Sequence, residues 1–305
     1  MTAPDGESTR PFRSGMVAVV GRPNVGKSTL VNAMVGAKVA IVSDKPQTTR
    51  RGIRGVLTTE DFQVAFTDTP GFHKPRTPLG HRLNQTVAAS VAGVDAVIHV
   101  VDASGAGVGR GDAFVYQHEV GPVRALKLCA VNKIDRVGHH ALVPQLAKAA
   151  ELGEFDEIVP VSAAAGRGVA ELVELVVARL PAGPHLYPPD QVTDQSLEAR
   201  IAEVVREKAL ELTREELPHS IAVEIEGLEI PEDEGTARIE ALVLIERESQ
   251  KGIVIGRRGD MLKTIGTRAR EELEALLERK VFLSLRVKVL KDWQRDPRAL
   301  DRFGY

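Results

Sequence analysis

The sequence predicts an α/β domain built on a mainly parallel sheet, followed by a smaller α+β domain. Short apolar, β-branched runs alternate with helical patterns from Gly15 to about residue 180, which is typical of a parallel sheet with crossover helices. The proline-rich segment 180–191 then ends this alternation. Beyond it the patterns follow the order α-β-β-α-α-β, and 305 residues suffice for two domains.

The individual elements follow from apolar periodicity. In the first domain we expect strands at 16–20, on both sides of 60–61, and at 94–102, 125–132 and 157–162, with helices from Lys27 and near 79–92, 140–150 and 168–180. In the second we expect a helix over 196–217, strands over 220–229 and 236–246, a short helix, a helix over 260–279 and a strand over 281–291. The predicted organisation is a flexible tail (1–13), a first domain (14–182), a linker (183–194) and a second domain with a C-terminal tail (195–305).

Composition excludes several classes of protein. With 43% hydrophobic and 27% charged residues, the chain is globular rather than disordered or fibrous. No apolar run reaches the length of a membrane-spanning helix, and the polar N-terminus does not resemble a signal peptide. A single cysteine, Cys129, excludes a disulfide framework within the chain. We therefore expect a cytoplasmic protein with Cys129 in the core.

Charge is distributed unevenly although the net charge is only -2. Residues 190–248 contain 6 Lys/Arg against 17 Asp/Glu, whereas residues 249–305 contain 14 against 8. A polyanionic partner is therefore expected to bind the last fifth of the chain.

Residues 21–28, GRPNVGKS, fit the pattern GxxxxGK[ST] between a predicted strand and a predicted helix. Backbone N–H groups of such a turn bind phosphate oxygens together with the helix N-terminus. Lys27 is expected to neutralise the β- and γ-phosphates, and the Ser28 hydroxyl to bind Mg²⁺. The predicted phosphate contacts are Gly21, Arg22, Pro23, Asn24, Val25, Gly26, Lys27, Ser28 and Thr29.

A second motif, Asp68-Thr69-Pro70-Gly71, follows an apolar strand. Asp68 is expected to hold Mg²⁺ through water, and the Gly71 N–H to meet the γ-phosphate. In the polar segment 43–52 between the two motifs, Thr49 is the first choice and Thr48 the second for completing Mg²⁺ coordination; the alternative is a loop whose threonines have no such role. The predicted catalytic residues are Lys27, Thr49, Asp68 and Gly71.

The base is predicted from Asn132-Lys133-Ile134-Asp135. Asp135 can accept hydrogen bonds from guanine N1–H and from its exocyclic amine, which adenine lacks, so the site should reject adenine. Asn132 can satisfy the N7/O6 side, and the Lys133 stem can cover the ring. Ser162 and Ala163, after another apolar strand, can close the pocket. The predicted ligand is therefore GTP with Mg²⁺.

Gly256-Arg257-Arg258-Gly259 lies before a predicted helix. A GXXG turn in this order of elements is the backbone clamp of a type II KH domain, which binds about four single-stranded nucleotides. The alternative is a simple turn. The predicted RNA contacts are Ile253, Ile255, Gly256, Arg257, Arg258, Gly259, Lys263 and Arg270. Trp293 either stacks on a base or packs in the core; packing is favoured.

Taken together, GRPNVGKS, PQTTR (46–50), DTPGFHKP (68–75), NKID, LPHS (217–220), IGRRGDMLKTIGTRAR (255–270), VKVLKDW (287–293) and the final GY resemble the Era family of bacterial GTPases from Gly15 to Tyr305. The resemblance implies a P-loop GTPase domain with a mainly parallel sheet and a C-terminal α+β KH domain of type II. The family usually has Lys-Gly inside the GXXG turn, where this chain has Arg257 and Arg258.

What the resemblance implies is a GTP-hydrolysing switch that binds the single-stranded 3′ end of 16S ribosomal RNA and assists 30S subunit assembly and rRNA processing. Two alternatives stay open. One is a GTP-dependent RNA chaperone for which hydrolysis is incidental. The other, a tRNA-modifying GTPase, would need a reactive cysteine in its C-terminal part, and Cys129 lies in the first domain.

Two residues bear on the hydrolysis step. Phe72 stands where Ras-like proteins carry a water-orienting glutamine, so we expect slow intrinsic hydrolysis. Asn24 resembles the asparagine of potassium-stimulated relatives, and it either binds K⁺ or only stabilises the loop. We expect a monomer with no DNA partner; at most, the basic C-terminal face contacts the inner membrane surface peripherally.

Overall fold

The structure, a computed structural model, describes residues 11–45, 47–75, 77–213 and 217–305. The first ten residues of the predicted tail lie outside this part of the chain. The described residues fall into two units. The first unit contains the residues up to Ala40, Gly52–Phe72 and Val87–Asp194, and the second contains Ile41–Arg51, His73–Thr86 and Gln195–Tyr305.

Within the described residues, the first unit contains a six-stranded sheet of order β2-β3-β1-β4-β5-β6. Its strands are β1 (Arg13–Val20), β2 (Ile53–Thr58), β3 (Phe62–Asp68), β4 (Ala96–Asp102), β5 (Leu126–Asn132) and β6 (Glu157–Pro160). Only β2 runs antiparallel to its neighbour. The predicted α/β domain with a mainly parallel sheet is confirmed.

Helices cover both faces of this sheet, which is why its strands read as continuous apolar runs rather than as alternating patterns. In β4 and β5 every residue from Val97 to Val101 and from Leu128 to Val131 is buried, and Cys129 lies in the core as predicted. The helices are α1 (Lys27–Val35), α2 (Pro78–Val91), α3 (Arg110–Val115), a π-helix (Tyr116–Val120), α4 (His139–Ala150) and α5 (Val169–Arg179).

The second unit contains, within the described residues, a three-stranded sheet of order β7-β8-β9 with β7 antiparallel and β9 parallel to β8. Its elements are α6 (Leu197–Leu212), α7 (Leu217–Ser220), β7 (Ala222–Glu229), β8 (Ala237–Ile245), α8 (Glu248–Ile255), α9 (Asp260–Leu277), β9 (Val281–Val289) and α10 (Pro297–Arg302). The predicted order α-β-β-α-α-β is present, with the single turn α7 added before β7.

Three of the predicted boundaries are displaced for identifiable physical reasons. Arg13 is not part of a tail, because it begins β1 and its guanidinium donates to the Leu180 carbonyl at 2.6 Å. Helix α6 ends at Leu212, since Thr213 is extended and its hydroxyl donates to the Ala209 carbonyl at 2.7 Å. The C-terminal tail folds into α10, where Asp296 caps the helix and Pro297 occupies its first position.

The predicted linker, 183–194, packs with the first unit. The Gln63 side chain accepts hydrogen bonds from the Leu186 and Tyr187 backbone N–H groups at 2.7 and 2.9 Å. The Val56 N–H donates to the Val192 carbonyl at 2.9 Å. These contacts along β2 and β3 extend the first unit to Asp194.

The segments 41–51 and 73–86 belong to the second unit, although the sequence placed both within the first domain. Leu79 and Leu83 of α2 share a buried cluster with Trp293, Leu300 and Phe303. This cluster explains why 73–86 belongs to the second unit, because Leu79 and Leu83 pack against apolar residues from the C-terminal end of the chain. In the described part of the chain, no helix is long and apolar enough to span a bilayer.

Candidate nucleotide site and candidate nucleic-acid interface

The phosphate loop occupies the turn between β1 and α1. Gly26 has φ 97°, and a Cβ atom there would lie 2.4 Å from the Asn132 amide nitrogen. Only glycine fits this combination of left-handed backbone and close approach. The turn therefore presents its backbone N–H groups and the N-terminal end of α1 together, which is an arrangement suited to phosphate oxygens.

Lys27 lies at the centre of this loop and is 6% exposed. Its ammonium donates to the carbonyls of Gly21 and Arg22 at 3.2 and 2.9 Å. Burial lowers its pKa to about 8, against the opposing influence of Asp68. A buried ammonium that donates to backbone carbonyls can exchange them for phosphate oxygens, which is the role predicted for Lys27.

Ser28 and Asp68 come together as predicted, with the Ser28 hydroxyl donating to the Asp68 carboxylate at 2.7 Å. A hydroxyl and a carboxylate supply the hard oxygen ligands that Mg²⁺ prefers. The donor set therefore fits Mg²⁺. The neighbouring Thr69 is buried, and its hydroxyl donates to the Val19 carbonyl at 2.8 Å, which fixes the end of β3 against β1.

Gly71 approaches the phosphate loop closely, since a Cβ atom there would lie 2.7 Å from Pro23. The next residue, Phe72, donates its backbone N–H to the Gly21 carbonyl at 3.2 Å. Its ring is 7% exposed and stacks on Phe114 at 5.5 Å between centroids. The ring is thus part of the core, and it has no polar group that could orient water.

Asn132 joins the base loops to the phosphate loop. Its amide nitrogen donates to the Val25 carbonyl at 2.9 Å, and its carbonyl oxygen accepts from the Ala163 N–H at 3.0 Å. The sequence predicted direct contact with the guanine N7/O6 side. The structure shows that one amide hydrogen and the oxygen are engaged with protein, so Asn132 first of all positions the two loops.

Asp135 is positioned by Ser162, whose hydroxyl donates to one carboxylate oxygen at 2.5 Å. This hydrogen bond is the main reason that the pKa of Asp135 is lowered. The Lys133 ammonium donates to Asp102 at 2.5 Å and to the Asn24 carbonyl at 2.6 Å. Both ends of the predicted base pocket are therefore fixed by side-chain contacts.

Two residues of this site were not found by sequence reasoning. Asp102, at the end of β4, anchors Lys133, and Asp112 accepts from the Arg22 guanidinium at 2.7 Å. This ion pair holds the Arg22 side chain against Asp112 and away from the expected phosphate position. Arg22 would therefore contact phosphate through its backbone N–H group. An Asp at the carboxyl end of a strand was the available signal for Asp102.

Thr48 and Thr49, the candidates for completing Mg²⁺ coordination, are both buried in the second unit. The Thr48 hydroxyl donates to the Lys45 carbonyl at 2.6 Å, and its backbone carbonyl accepts from the Arg206 guanidinium. The Thr48 hydroxyl is therefore engaged within its own segment, and Thr49 stays the first choice predicted from the sequence.

The GXXG turn connects α8 to α9. Gly256 and Gly259 have φ values of 76° and 86°, and Arg258, with φ 54°, is also left-handed. The family's glycine at the Arg258 position has a physical reason, because a side chain is disfavoured there. Arg257 and Arg258 are both exposed, so the turn presents two cations to solvent.

Next to this turn, α9 and β9 enclose a groove of about 650 Å³ lined by Gly259, Leu262, Lys263, Gly266, Thr267, Arg270, Val281, Phe282, Leu283 and Leu285. Lys263 and Arg270 lie where the sequence predicted RNA contacts. Ile253 and Ile255 lie at the end of α8, directly before the turn, and are not among the residues that line this groove; their assignment as RNA contacts stays a prediction. Trp293 is fully buried, with its indole N–H donating to the Ser220 carbonyl at 2.9 Å, so it packs in the core.

Sequence reasoning missed Phe282, which is 59% exposed in this groove. Its position in a strand gave no indication of which face it occupies. An exposed ring beside apolar residues and cations is an arrangement on which a base can stack. The groove and the GXXG turn together form a candidate single-stranded nucleic-acid interface.

Comparisons with known proteins match different families to the N-terminal and C-terminal parts of the chain. The family described as "50S ribosome-binding GTPase" matches residues 16–133, and the family described as "KH domain" matches residues 216–294. In structure, the chain resembles Era in complex with MgGDPNP and nucleotides 1506–1542 of 16S ribosomal RNA, with a TM-score of 0.92, 40% identity, and coverage of 96% of this chain and 99% of that one. A variant of Aquifex aeolicus Era bound to GDP and AlF4⁻ gives a TM-score of 0.92 and 41% identity over the same shares of both chains.

The relatives by sequence agree over nearly their full length. GTPase Era of Mycolicibacterium smegmatis is 48% identical over 298 residues, which is 96% of this chain and 99% of that protein. GTPase Era of Mycobacterium tuberculosis is 48% identical over 300 residues with the same coverage. The predicted fold, a P-loop GTPase domain followed by a KH domain, is therefore confirmed, and the chain belongs to the GTPase Era family.

Proposed function

We propose that this GTPase binds the single-stranded 3′ end of 16S ribosomal RNA when it carries GTP, and that it assists assembly of the 30S subunit and rRNA processing. The observation that carries this proposal is the pairing of a phosphate-binding loop with a groove suited to single-stranded RNA in one chain. The likeness to Era in complex with MgGDPNP and nucleotides 1506–1542 supports it, because both ligands are present in that structure.

The nucleotide would be held by the residues gathered around the phosphate loop. Lys27 binds the β- and γ-phosphates, Gly71 meets the γ-phosphate through its N–H, and Asp135 selects guanine. Ser28, Asp68 and Thr49 would hold Mg²⁺, which neutralises charge on the phosphates when it is bound. The remaining contacts are those of the loop backbone, Thr69 and Pro70, with Lys133, Ser162 and Ala163 around the base.

The RNA would pass over the GXXG turn into the groove between α9 and β9. Arg257 and Arg258 bind phosphates beside the two glycines, while Lys263 and Arg270 contact the backbone along the groove. Phe282 offers a ring for stacking, and Leu262 and Leu285 contact the bases. Ile253, which is 56% exposed, and Ile255 add apolar contacts beside the turn.

The first test is the binding of a short single-stranded RNA with the 16S 3′-end sequence in the presence of a GTP analogue. We expect Arg257→Asp/Arg258→Asp to weaken this binding by about 10²-fold, because two charge-assisted contacts are lost. The slope of log affinity against log salt should fall by about 1.4, since each phosphate contact of a single strand contributes about 0.7. Fluorescence anisotropy at two or more salt concentrations measures both quantities.

The matched control is Lys148→Asp/Arg179→Asp, which makes the same change of charge on the first unit. We expect it to leave RNA affinity within about twofold. A scrambled RNA sequence tests readout of the bases. If the two double variants lose equal affinity, binding reflects net charge alone and the proposed interface is wrong.

The rival function, an RNA chaperone for which hydrolysis is incidental, is favoured by one observation. The Phe72 ring is buried against Phe114 at the position where Ras-like GTPases have a glutamine that orients water. A slow intrinsic rate follows from this packing. A variant that binds GTP without hydrolysing it separates the two functions, because it supports subunit assembly only if hydrolysis is incidental.

Potassium is a further proposed cofactor through Asn24, which has a left-handed backbone with φ 64° in the phosphate loop. A bound K⁺ would supply positive charge during hydrolysis. We expect hydrolysis to be faster in KCl than in NaCl at equal ionic strength, and Asn24→Ala to remove the difference. Equal rates in both salts, measured by phosphate release, would show that Asn24 serves only the loop.

The cytoplasmic location, the monomeric state and a weak contact with the inner membrane surface are predictions from the sequence. The domain roles that we propose also rest on the sequence: GTPase function for residues 14–182, a linker at 183–194 and RNA binding for residues 195–305.

A further inference from the structure

A cavity of about 360 Å³ in the first unit lies away from the phosphate and base loops. It is formed between the carboxyl end of α2, at Ala88 and Val91, and the π-helix that carries His118 and Glu119. π-helical turns are rare and often occur at functional sites. None of the nucleotide contacts assigned above uses this cavity.

Glu119 is the polar group of the lining that is buried, with 7% of its surface exposed. Within the part of the chain that the structure describes, no hydrogen bond or ion pair satisfies its carboxyl group. Burial raises its pKa to about 7, against a smaller opposite influence of His118. Glu119 is thus largely removed from water while its carboxylate oxygens remain accessible from the cavity, and a cation entering the cavity would replace the hydration that the carboxylate has lost.

The surroundings also favour a cation. The carboxyl end of α2 contributes the negative partial charge of a helix C-terminus. The positively charged group of the lining, Arg124, is exposed, whereas Glu119 is buried. A long side chain with a terminal positive charge can therefore reach Glu119 through apolar walls, and an acidic neighbour of that side chain could pair with Arg124.

We propose that this cavity, the Glu119 cavity, receives an arginine or lysine side chain of a protein partner and pairs its charge with the Glu119 carboxylate.

Occupancy of the Glu119 cavity would be transmitted to the phosphate loop. The His118 ring lies 4.2 Å from that of Phe114, which stacks on Phe72 at 5.5 Å. Phe72 follows Gly71 and is hydrogen-bonded to Gly21. A partner could thus alter GTP hydrolysis without touching the nucleotide. This consequence rests on the proposed function, whereas binding of the cation does not.

The test uses the full chain and two small probes, N-acetylarginine amide and its neutral isostere N-acetylcitrulline amide. We expect the arginine probe to cause saturable changes in the amide resonances of Phe114, His118 and Glu119, and the citrulline probe to cause none. Affinity should rise about tenfold from about pH 6 to about pH 8, because the carboxylate population grows across a pKa of about 7. If the His118→Gln variant shows the same rise in affinity for the arginine probe between about pH 6 and about pH 8, the group that titrates is Glu119 and not His118.

Two variants decide whether the site is the one proposed. Glu119→Gln keeps the shape of the side chain and should weaken the arginine probe by at least about tenfold, which is the loss expected for one charge-assisted contact. Ala88→Leu, at an exposed position, should block the cavity while the core stays intact. The proposal is overturned if the arginine probe gives no saturable change, if citrulline acts equally, or if neither variant affects binding. Failure of the proposed RNA function is detected separately by the Arg257→Asp/Arg258→Asp experiment, which does not involve this cavity.

Discussion

Replacing Asp135 with asparagine is expected to weaken GTP binding by about 10²- to 10⁴-fold and to transfer the preference to xanthosine triphosphate. The Asp135 carboxylate can accept from guanine N1–H and from the exocyclic amine. Two hydrogen bonds to a charged acceptor contribute about 1.5–3 kcal/mol each, and every 1.4 kcal/mol is a factor of ten. An asparagine amide instead presents a donor to the C2 carbonyl of xanthine.

The structure makes this substitution a clean test. Ser162 holds one carboxylate oxygen of Asp135 at 2.5 Å, and the oxygen of asparagine can accept the same hydrogen bond. The side chain therefore keeps its orientation, and only the group facing the base changes. Loss of GTP affinity cannot then be attributed to a displaced loop.

The measurement is competition of GTP, ATP and xanthosine triphosphate against a fluorescent nucleotide. Asp61→Asn serves as the matched control, because Asp61 is exposed in the turn between β2 and β3. It should bind GTP like the unaltered protein. Undiminished GTP affinity in the Asp135 variant would mean that guanine is recognised by other groups.

The elements and motifs that could be predicted from the sequence depend on neighbours along the chain. The strands of the parallel sheet are continuous apolar runs because both faces are covered. Ser28 and Asp68 are identified because each lies in a short motif at the end of a strand. Their contact at 2.7 Å follows from the pairing of β1 with β3, which motif order already implies.

Contacts between distant segments could not be predicted in the same way. Arg22 pairs with Asp112, 90 residues away, so its charge is used within the protein. Phe282 lies in β9, and a pattern of apolar residues does not show which face of a strand meets a groove. The assignment of 41–51 to the second unit was equally invisible, because a polar segment gave no sign of being buried.

Arg50 shows why that segment was missed. The residue is 2% exposed, and its guanidinium lies against two aromatic rings and donates to a carbonyl. It lies 5.2 Å from the Trp293 ring centroid and 5.5 Å from that of Tyr305, and it donates to the Ile221 carbonyl at 2.7 Å. Arginine is usually a surface residue, so the sequence pattern gave no reason to expect Arg50 in the core of the second unit.

We therefore expect Arg50→Ala to remove the influence of the nucleotide on RNA binding. Thr49, the candidate Mg²⁺ ligand, precedes Arg50 directly, so a change in this segment on GTP binding would act on the residues that hold Arg50. Coupling between two sites is commonly about 5- to 150-fold in affinity. In the variant, RNA affinity measured with a GTP analogue and with GDP should become equal, while GTP binding itself persists.

Arg54→Ala provides the matched control for this experiment. Arg54 lies four residues further along the chain, but it pairs with Asp194 inside the first unit at 2.9 Å. Its loss should leave the nucleotide effect on RNA affinity unchanged. Arg50→Lys keeps the charge without the planar group that stacks on Trp293 and Tyr305, and should give an intermediate effect.

Thermal unfolding of each variant separates coupling from stability. Arg50→Ala removes a buried hydrogen bond and two ring contacts, so some loss of stability is expected in any case. The effect counts as a specific loss of coupling if the variant is folded and, in one nucleotide state, binds RNA with the same affinity as the unaltered protein. A folded Arg50→Ala variant that retains the full nucleotide effect would mean that the packing of 41–51 within the second unit is only structural. The signal would then travel by another segment. The next candidate is 73–86, because Leu79 and Leu83 share the buried cluster with Trp293.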